Sequence, residues 1–240
     1  MATEKLDITQ TIKDGVNLGL KNFVPFLLTV LLYVITIWIP YLNVGTTIGL
    51  YKTIIALGRG EKIDPVAIFN KENFKPMGGF FLLSGLLLIG TLVAFCFMII
   101  PGYVMGIAWC FAIFFFLDKK IPAVKAMQLS YDVTMGNKWR IFFVCLICVI
   151  VFSIVISLLA LIPKVGIVLV VIASILWCVI YYAIFGVMYD FFSKKADALF
   201  AERHCCHPRP GFPFGEPAPV AEPAPDAEKE DPFADVKTEA

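Results

Sequence analysis

The chain is nearly without histidine. Two of its 240 residues are histidine, His204 and His207, and both follow the last long apolar run. A Ser–His or Cys–His pair is thereby excluded from the apolar part, because the base that would activate the nucleophile is missing. Charge is scarce as well: 16% of residues are charged, and the stretch 78–117 has none. An aspartyl mechanism inside a membrane needs two carboxylates at depth. The apolar runs hold none at their centres, since Asp118, Asp132 and Asp190 fall at or beyond the ends. Coupled ion transport usually leaves ionisable groups within the helices, and only Lys52 comes close. These shortages argue against an enzyme. They leave a carrier only a lipid or apolar solute that needs no buried charge.

What the chain has instead is apolar surface. With 59% hydrophobic residues and a mean hydropathy of +0.83 it reads as a polytopic, all-α membrane protein. As one helix the stretch 78–117 would measure roughly 60 Å, twice the ~30 Å hydrocarbon core of a bilayer. It must fold back on itself, and Ile100-Pro101-Gly102 is the predicted turn. The same reasoning along the chain predicts six spans, at about 23–39, 44–57, 79–99, 102–117, 141–161 and 167–188. The second is the most polar, carrying Thr46, Thr47, Thr53 and Lys52. Its default reading is a short, tilted helix whose lysine snorkels.

Between the spans lie polar connectors with helical patterning. In the N-terminal segment 1–22, residues Ile8, Ile12, Val16 and Leu20 recur every fourth position among lysines and aspartates. In the first connector Asp64-Pro65 is an expected N-cap and first-turn proline, with Val66, Ile68 and Phe69 facing the membrane. In the second, Pro122 opens a helix striped by Ile121, Val124, Met127, Tyr131 and Met135, and Gly136-Asn137 stop it. Lysines and aspartates before the first apolar run, with no small-residue cleavage pattern after it, argue against a cleavable signal. The segment 196–240 turns Pro-, Ala- and Glu-rich and is expected to be a disordered tail below the six-span domain, 23–195.

The pattern repeats. Ile39-Pro40, Ile100-Pro101 and Ile162-Pro163 lie 61 and 62 residues apart, and each is soon followed by glycine. Each hairpin is preceded by a polar–aromatic step: Lys21-Asn22-Phe23, Glu72-Asn73-Phe74 and Asn137-Lys138-Trp139. Three copies of an interfacial helix plus a helical hairpin account for this. Sixteen Lys or Arg fall in the N-terminal segment, the connectors and residues 190–210, against Lys164 alone in the three short turns. The positive-inside rule then puts both termini and the amphipathic helices in the cytoplasm.

Ile99-Ile100-Pro101-Gly102-Tyr103, with Trp109 and Phe111 ahead of Asp118, is followed by Ala126, Ser130, Met135-Gly136, Lys138 and Phe142. Together with Arg59-Gly60-Glu61 and Phe69, this resembles a bacterial family of uncharacterised integral membrane proteins. It is also similar to the membrane domain fused to some glycerophosphoryl diester phosphodiesterases. The resemblance covers roughly residues 10–195. It implies a multi-pass protein of the bacterial inner membrane and no activity, because the catalytic barrel of those phosphodiesterases has no counterpart here.

Among candidate sites, Lys119, Lys120, Lys125, Lys138 and Arg140 lie on or beside the second connector helix. They would attract anionic lipid headgroups, or else only enforce orientation. The acidic tail ends in Asp231-Pro-Phe-Ala-Asp-Val, where Phe233 is a candidate anchor for a protein partner. Thr46, Thr47 and Lys52 are the candidates for a transport path. His204-Cys205-Cys206-His207 is too compact to wrap one tetrahedral metal, and Cys145-Leu-Ile-Cys148 lacks a second pair. No metal, cofactor or nucleic-acid partner is expected. The leading expectation is a non-catalytic scaffold or regulatory subunit engaging lipids or a protein. The alternative is a carrier or permease for a lipid or small apolar solute.

Overall fold

The computed structural model describes residues 5–161 and 166–205, with side chains as far as Leu199. The turn 162–165 and the tail beyond 205, including Phe233, lie outside the described residues. All regular structure among the described residues is helical. Helix α1 spans Ile8–Lys21, α2 Phe23–Thr36 and α3 Pro40–Gly58. Two single 3-10 turns, Pro65–Phe69 and Lys71–Asn73, lead to α4, Met77–Phe97. Then come α5 (Ile99–Trp109), α6 (Ala112–Lys119), α7 (Ala123–Thr134), α8 (Lys138–Ala160) and α9 (Gly166–Cys205).

Four stretches are long and apolar enough to cross a membrane: α4, the α5–α6 pair, α8 and α9. A fifth counts if α1 and α2, bent by 81° at Asn22, act as one broken span. Their surfaces fit that reading. Only 11% to 33% of the most apolar window in each of the four is buried inside the protein. Residues such as Leu88, Ile89 and Leu92 on α4, Ile154 and Leu158 on α8, and Ile167 and Val168 on α9 stay exposed. Apolar surface on that scale belongs in hydrocarbon.

Several expectations are corrected in detail. The turn between α4 and α5 falls at Met98, the one extended residue between them, and not at Pro101-Gly102. Pro101 sits in the first turn of α5, where helix amides lack intrahelical partners, so its missing N–H costs little. Gly102 meanwhile lets the Phe95 ring pack against the returning backbone. The span expected at 23–39 is a 14-residue helix, α2. The fourth span is broken, because Cys110 and Phe111 leave the helix between α5 and α6. The last helix runs on to Cys205, well beyond residue 188 and into the segment expected to be tail. At ~1.5 Å per residue its 40 residues extend roughly 60 Å.

The core is concentrated at one end of the bundle, where the connectors lie; we call it the connector end. Phe111, Phe114 and Phe115 around α6 pack with Tyr189 and Phe192 of α9, all buried, beside half-buried Phe185. Leu50, Ile54 and Leu57 of α3, and Ala126, Leu129 and Val133 of α7, complete it. Helix α3 has low apolarity for a span because it is central: nine of its 19 residues are buried. Closest approach occurs where Gly58 meets Gly186. A Cβ on either would collide with backbone of the other helix, so only glycine fits this α3–α9 crossing.

The amphipathic helices bury small residues most deeply. In α1 the buried positions are Thr11, Gly15 and Gly19, the glycines against Ile184 and Ala183 of α9, while Ile8, Ile12 and Val16 pack half-buried against the core and Leu20 is exposed. In α7 the buried face is Ala123, Ala126, Leu129, Ser130, Val133 and Thr134, and Val124, Tyr131 and Met135 point outward. Small side chains allow close backbone approach, so they win the helix-facing side. In the first connector, Asp64 caps the 3-10 turn by accepting from the Val66 N–H at 3.0 Å. Ile68 is buried against Gly49, whereas Val66 is exposed.

Candidate functional site

Polar side chains at the connector end sort into those that join helices and those left exposed. One junction centres on Asp118, at the end of α6. Its Oδ2 accepts from the Arg59 guanidinium at 2.6 Å and from the Tyr189 hydroxyl at 2.6 Å. Arg59 follows α3 and Tyr189 is a fully buried residue of α9, so one carboxylate ties three helices. Burial alone would pull the Arg59 guanidinium down. Its hydrogen bond and charge contact with Asp118 outweigh that and hold it above its ordinary value.

Further junctions surround it. Lys119 pairs with Asp197 of α9 at 2.5 Å. Lys195 donates to the Val133 carbonyl at 2.7 Å and the Met135 carbonyl at 3.3 Å, capping the end of α7. Arg140 donates to the Leu6 carbonyl at 2.5 Å while Asn137 Oδ1 accepts from the Leu6 N–H, fastening the N-terminal segment to the start of α8. The break between α5 and α6 frees carbonyls at the end of α5. The Ser130 hydroxyl donates to one of them, Ala108 O, at 2.7 Å.

The expected lipid-contact residues therefore separate. Lys119 and Arg140 are engaged with the protein itself. Lys120 and Lys125 are exposed, and the Lys138 ammonium lies 4.2 Å from the centroid of the Tyr131 ring, a cation–π contact. The transport candidates separate as well. Thr46 bonds with Thr36 across the α2–α3 hairpin at 3.0 Å, and Thr47 donates to the Asn43 carbonyl at 2.7 Å. Lys52 is elsewhere, donating to Asn73 Oδ1 at 2.9 Å.

Lys52 lines two adjoining cavities. The first, of about 290 Å³, lies between α3 and the 3-10 turns. The second, of about 400 Å³, is bounded by Lys52, Glu72, Lys75, Lys120, Phe116 and Leu117. Lys75 pairs with Glu72 at 2.6 Å, and that hydrogen bond holds the Glu72 carboxyl below its usual range. Asn73 is buried, and its Nδ2 donates to the Ala67 and Ile68 carbonyls, which fixes its oxygen toward Lys52. A larger apolar groove, about 850 Å³, runs between α5 and α8 from Ile100 to Lys138 and Trp139. Glu72, Asn73 and Lys75 were not candidate site residues from sequence, although Glu72 and Asn73 stand in one of the repeated steps. The available signal was the repeated polar–aromatic step, whose asparagines at 73 and 137 are both buried and both bond to a distant segment.

Among the described residues, no group of three or more His, Cys, Asp or Glu side chains is placed to hold a metal. Cys145 and Cys148 are free thiols. The helices define a class: an all-helical protein, four or five of whose helices are long and apolar enough to cross a membrane. No family model matches the chain, and comparison with curated proteins and with solved structures yields no match.

Proposed function

We propose that this chain is a non-catalytic scaffold or regulatory subunit of a bacterial inner membrane, engaging anionic lipid and a protein partner. The observation that carries the reading is the use made of polar groups at the connector end. Asp118, Arg59, Tyr189, Lys119, Lys195 and Arg140 hold helices to one another, while Lys125 is exposed and Lys120, also exposed, borders a cavity. That is a rigid platform with a basic surface, and basic residues of this kind draw anionic headgroups.

The finer architecture belongs to the same proposal. Six crossings arise if α2 and α3, about 21 and 29 Å long at ~1.5 Å per residue, count as the first of three repeated hairpins. The bias of Lys and Arg to the connectors puts the connector end and both termini in the cytoplasm. The sequence resemblance to uncharacterised bacterial membrane proteins and to the phosphodiesterase-linked membrane domain agrees with this. A carrier is less well supported. Thr46 and Thr47 are occupied by bonds within the first hairpin, whereas Lys52 bonds Asn73 of the connector.

The test compares the full chain with one ending at Pro210, each extracted in native lipid nanodiscs and examined by mass spectrometry. The scaffold reading expects a protein recovered only with the full chain. Equal recovery from both, or a retained solute with no protein, would refute it.

A further inference from the structure

The cavity beneath Lys52 gathers more positive than negative charge. Several other lysines of the connector end are matched: Lys119 by Asp197, Lys194 by Asp190, Lys195 by two carbonyls. Here three ammonium groups, on Lys52, Lys75 and Lys120, border one space with a single carboxylate, Glu72. Glu72 is taken by Lys75. Lys52 donates to the neutral Asn73 oxygen and feels the Glu72 charge only from beyond ion-pair distance, and among the described residues Lys120 makes no ion pair. The cavity is thus left with two net positive charges.

Two of the three lysines are fixed there by the fold, while Lys75 is largely exposed at the rim. Lys52 is half-buried on the central helix α3, and its ammonium is oriented by an asparagine whose amide is itself locked by two carbonyls. Lys120 is the only non-glycine residue among those described with a left-handed backbone, φ 53° and ψ 34°. An L-residue resists that conformation, and glycine adopts it freely. The left-handed turn brings the Lys120 side chain to the border of the cavity. Phe116 and Leu117 supply an apolar wall beside the charges.

We propose that this cavity binds a phosphate monoester dianion, through Lys52 and Lys120 with Lys75 at its rim. Two uncompensated ammonium groups match the charge of a monoester, and lysine suits phosphate as a point charge. The phosphate is that of a lipid headgroup, with Phe116 and Leu117 against the glycerol, or of a soluble ester. The proposal goes beyond the scaffold reading and stands whether or not the tail recruits a protein.

The experiment uses the full chain in phosphatidylcholine nanodiscs. One arm adds phosphatidic acid to the bilayer, and the other adds inorganic phosphate to the buffer. Binding is read by native mass spectrometry and by the midpoint of thermal unfolding. The variants are Lys52→Met, Lys120→Gly and Lys13→Ala, the last an exposed lysine of α1 that does not line the cavity. Wild type and Lys13→Ala should bind, and Lys52→Met and Lys120→Gly should each bind about tenfold more weakly, the scale of one lost charge-assisted contact. Lys120→Gly relieves backbone strain, so its loss of binding would not reflect misfolding. Retention of phosphatidic acid alone identifies a lipid headgroup, and response to inorganic phosphate identifies a soluble anion. Equal binding by wild type and both cavity variants, or no binding of either probe by wild type, overturns the proposal.

Discussion

Replacing Asp118 should loosen the connector end more than any other single change of a polar group there. The carboxylate accepts at 2.6 Å from both Arg59 and Tyr189, and its side chain is 12% exposed. In Asp118→Ala the fully buried Tyr189 hydroxyl loses its acceptor, costing about 1–3 kcal/mol. The Arg59 side chain is 33% exposed, so water screens its lost partner and the added cost is about 0–1 kcal/mol. The sum is roughly 2–4 kcal/mol. Asp118→Asn keeps an acceptor for Tyr189 and should cost about half of that, and Tyr189→Phe about 1 kcal/mol. In the double variant Asp118→Ala with Tyr189→Phe the orphaned hydroxyl is gone, so it should be more stable than additivity predicts by about 1–2 kcal/mol. Reversible unfolding in mixed micelles, followed by tryptophan fluorescence, measures all four. Additivity within about 0.3 kcal/mol, or Asp118→Ala no worse than Tyr189→Phe, would show that the carboxylate does not tie α6 to α9.

Gly58→Ala and Gly186→Ala should each cost about 1–3 kcal/mol, since the new methyl meets opposing backbone and the helices must separate. Gly85→Ala on α4, with open space around it, should stay within about 0.5 kcal/mol of wild type in the same unfolding assay. Ser130→Ala should cost about 1–3 kcal/mol by leaving the Ala108 carbonyl unpartnered at the α5–α6 break. Hydrogen exchange at residues 108–112 should rise with it, and an unchanged exchange pattern would mean that the break holds without the hydroxyl.

Where the chain is apolar, the sequence is a sufficient guide, because burial in hydrocarbon depends on composition and length and hardly on neighbours. A charge-free stretch twice too long for one crossing had to fold back, and it does, within a few residues of Pro101. Asp64-Pro65 caps its turn as its spacing implies, since capping is local chemistry. Contacts between segments were not readable in this way. The stripe of large residues on α7 did not tell which positions pack inside: Ala126, Ser130 and Thr134 are buried, because close helix packing favours small side chains when lipid can take the large ones. Lys119 and Lys120 are neighbours in sequence, and a single left-handed residue sends one to an ion pair with Asp197 and the other to a cavity. Nor does any local pattern announce that Asp118 meets a tyrosine 71 residues further on, or that Lys52 meets Asn73. Composition and periodicity determined that this protein is helical and rich in helices able to cross a membrane. Which polar groups cancel, and which are left over to bind something else, was decided only by tertiary structure, because charge pairing depends on distances the sequence does not carry.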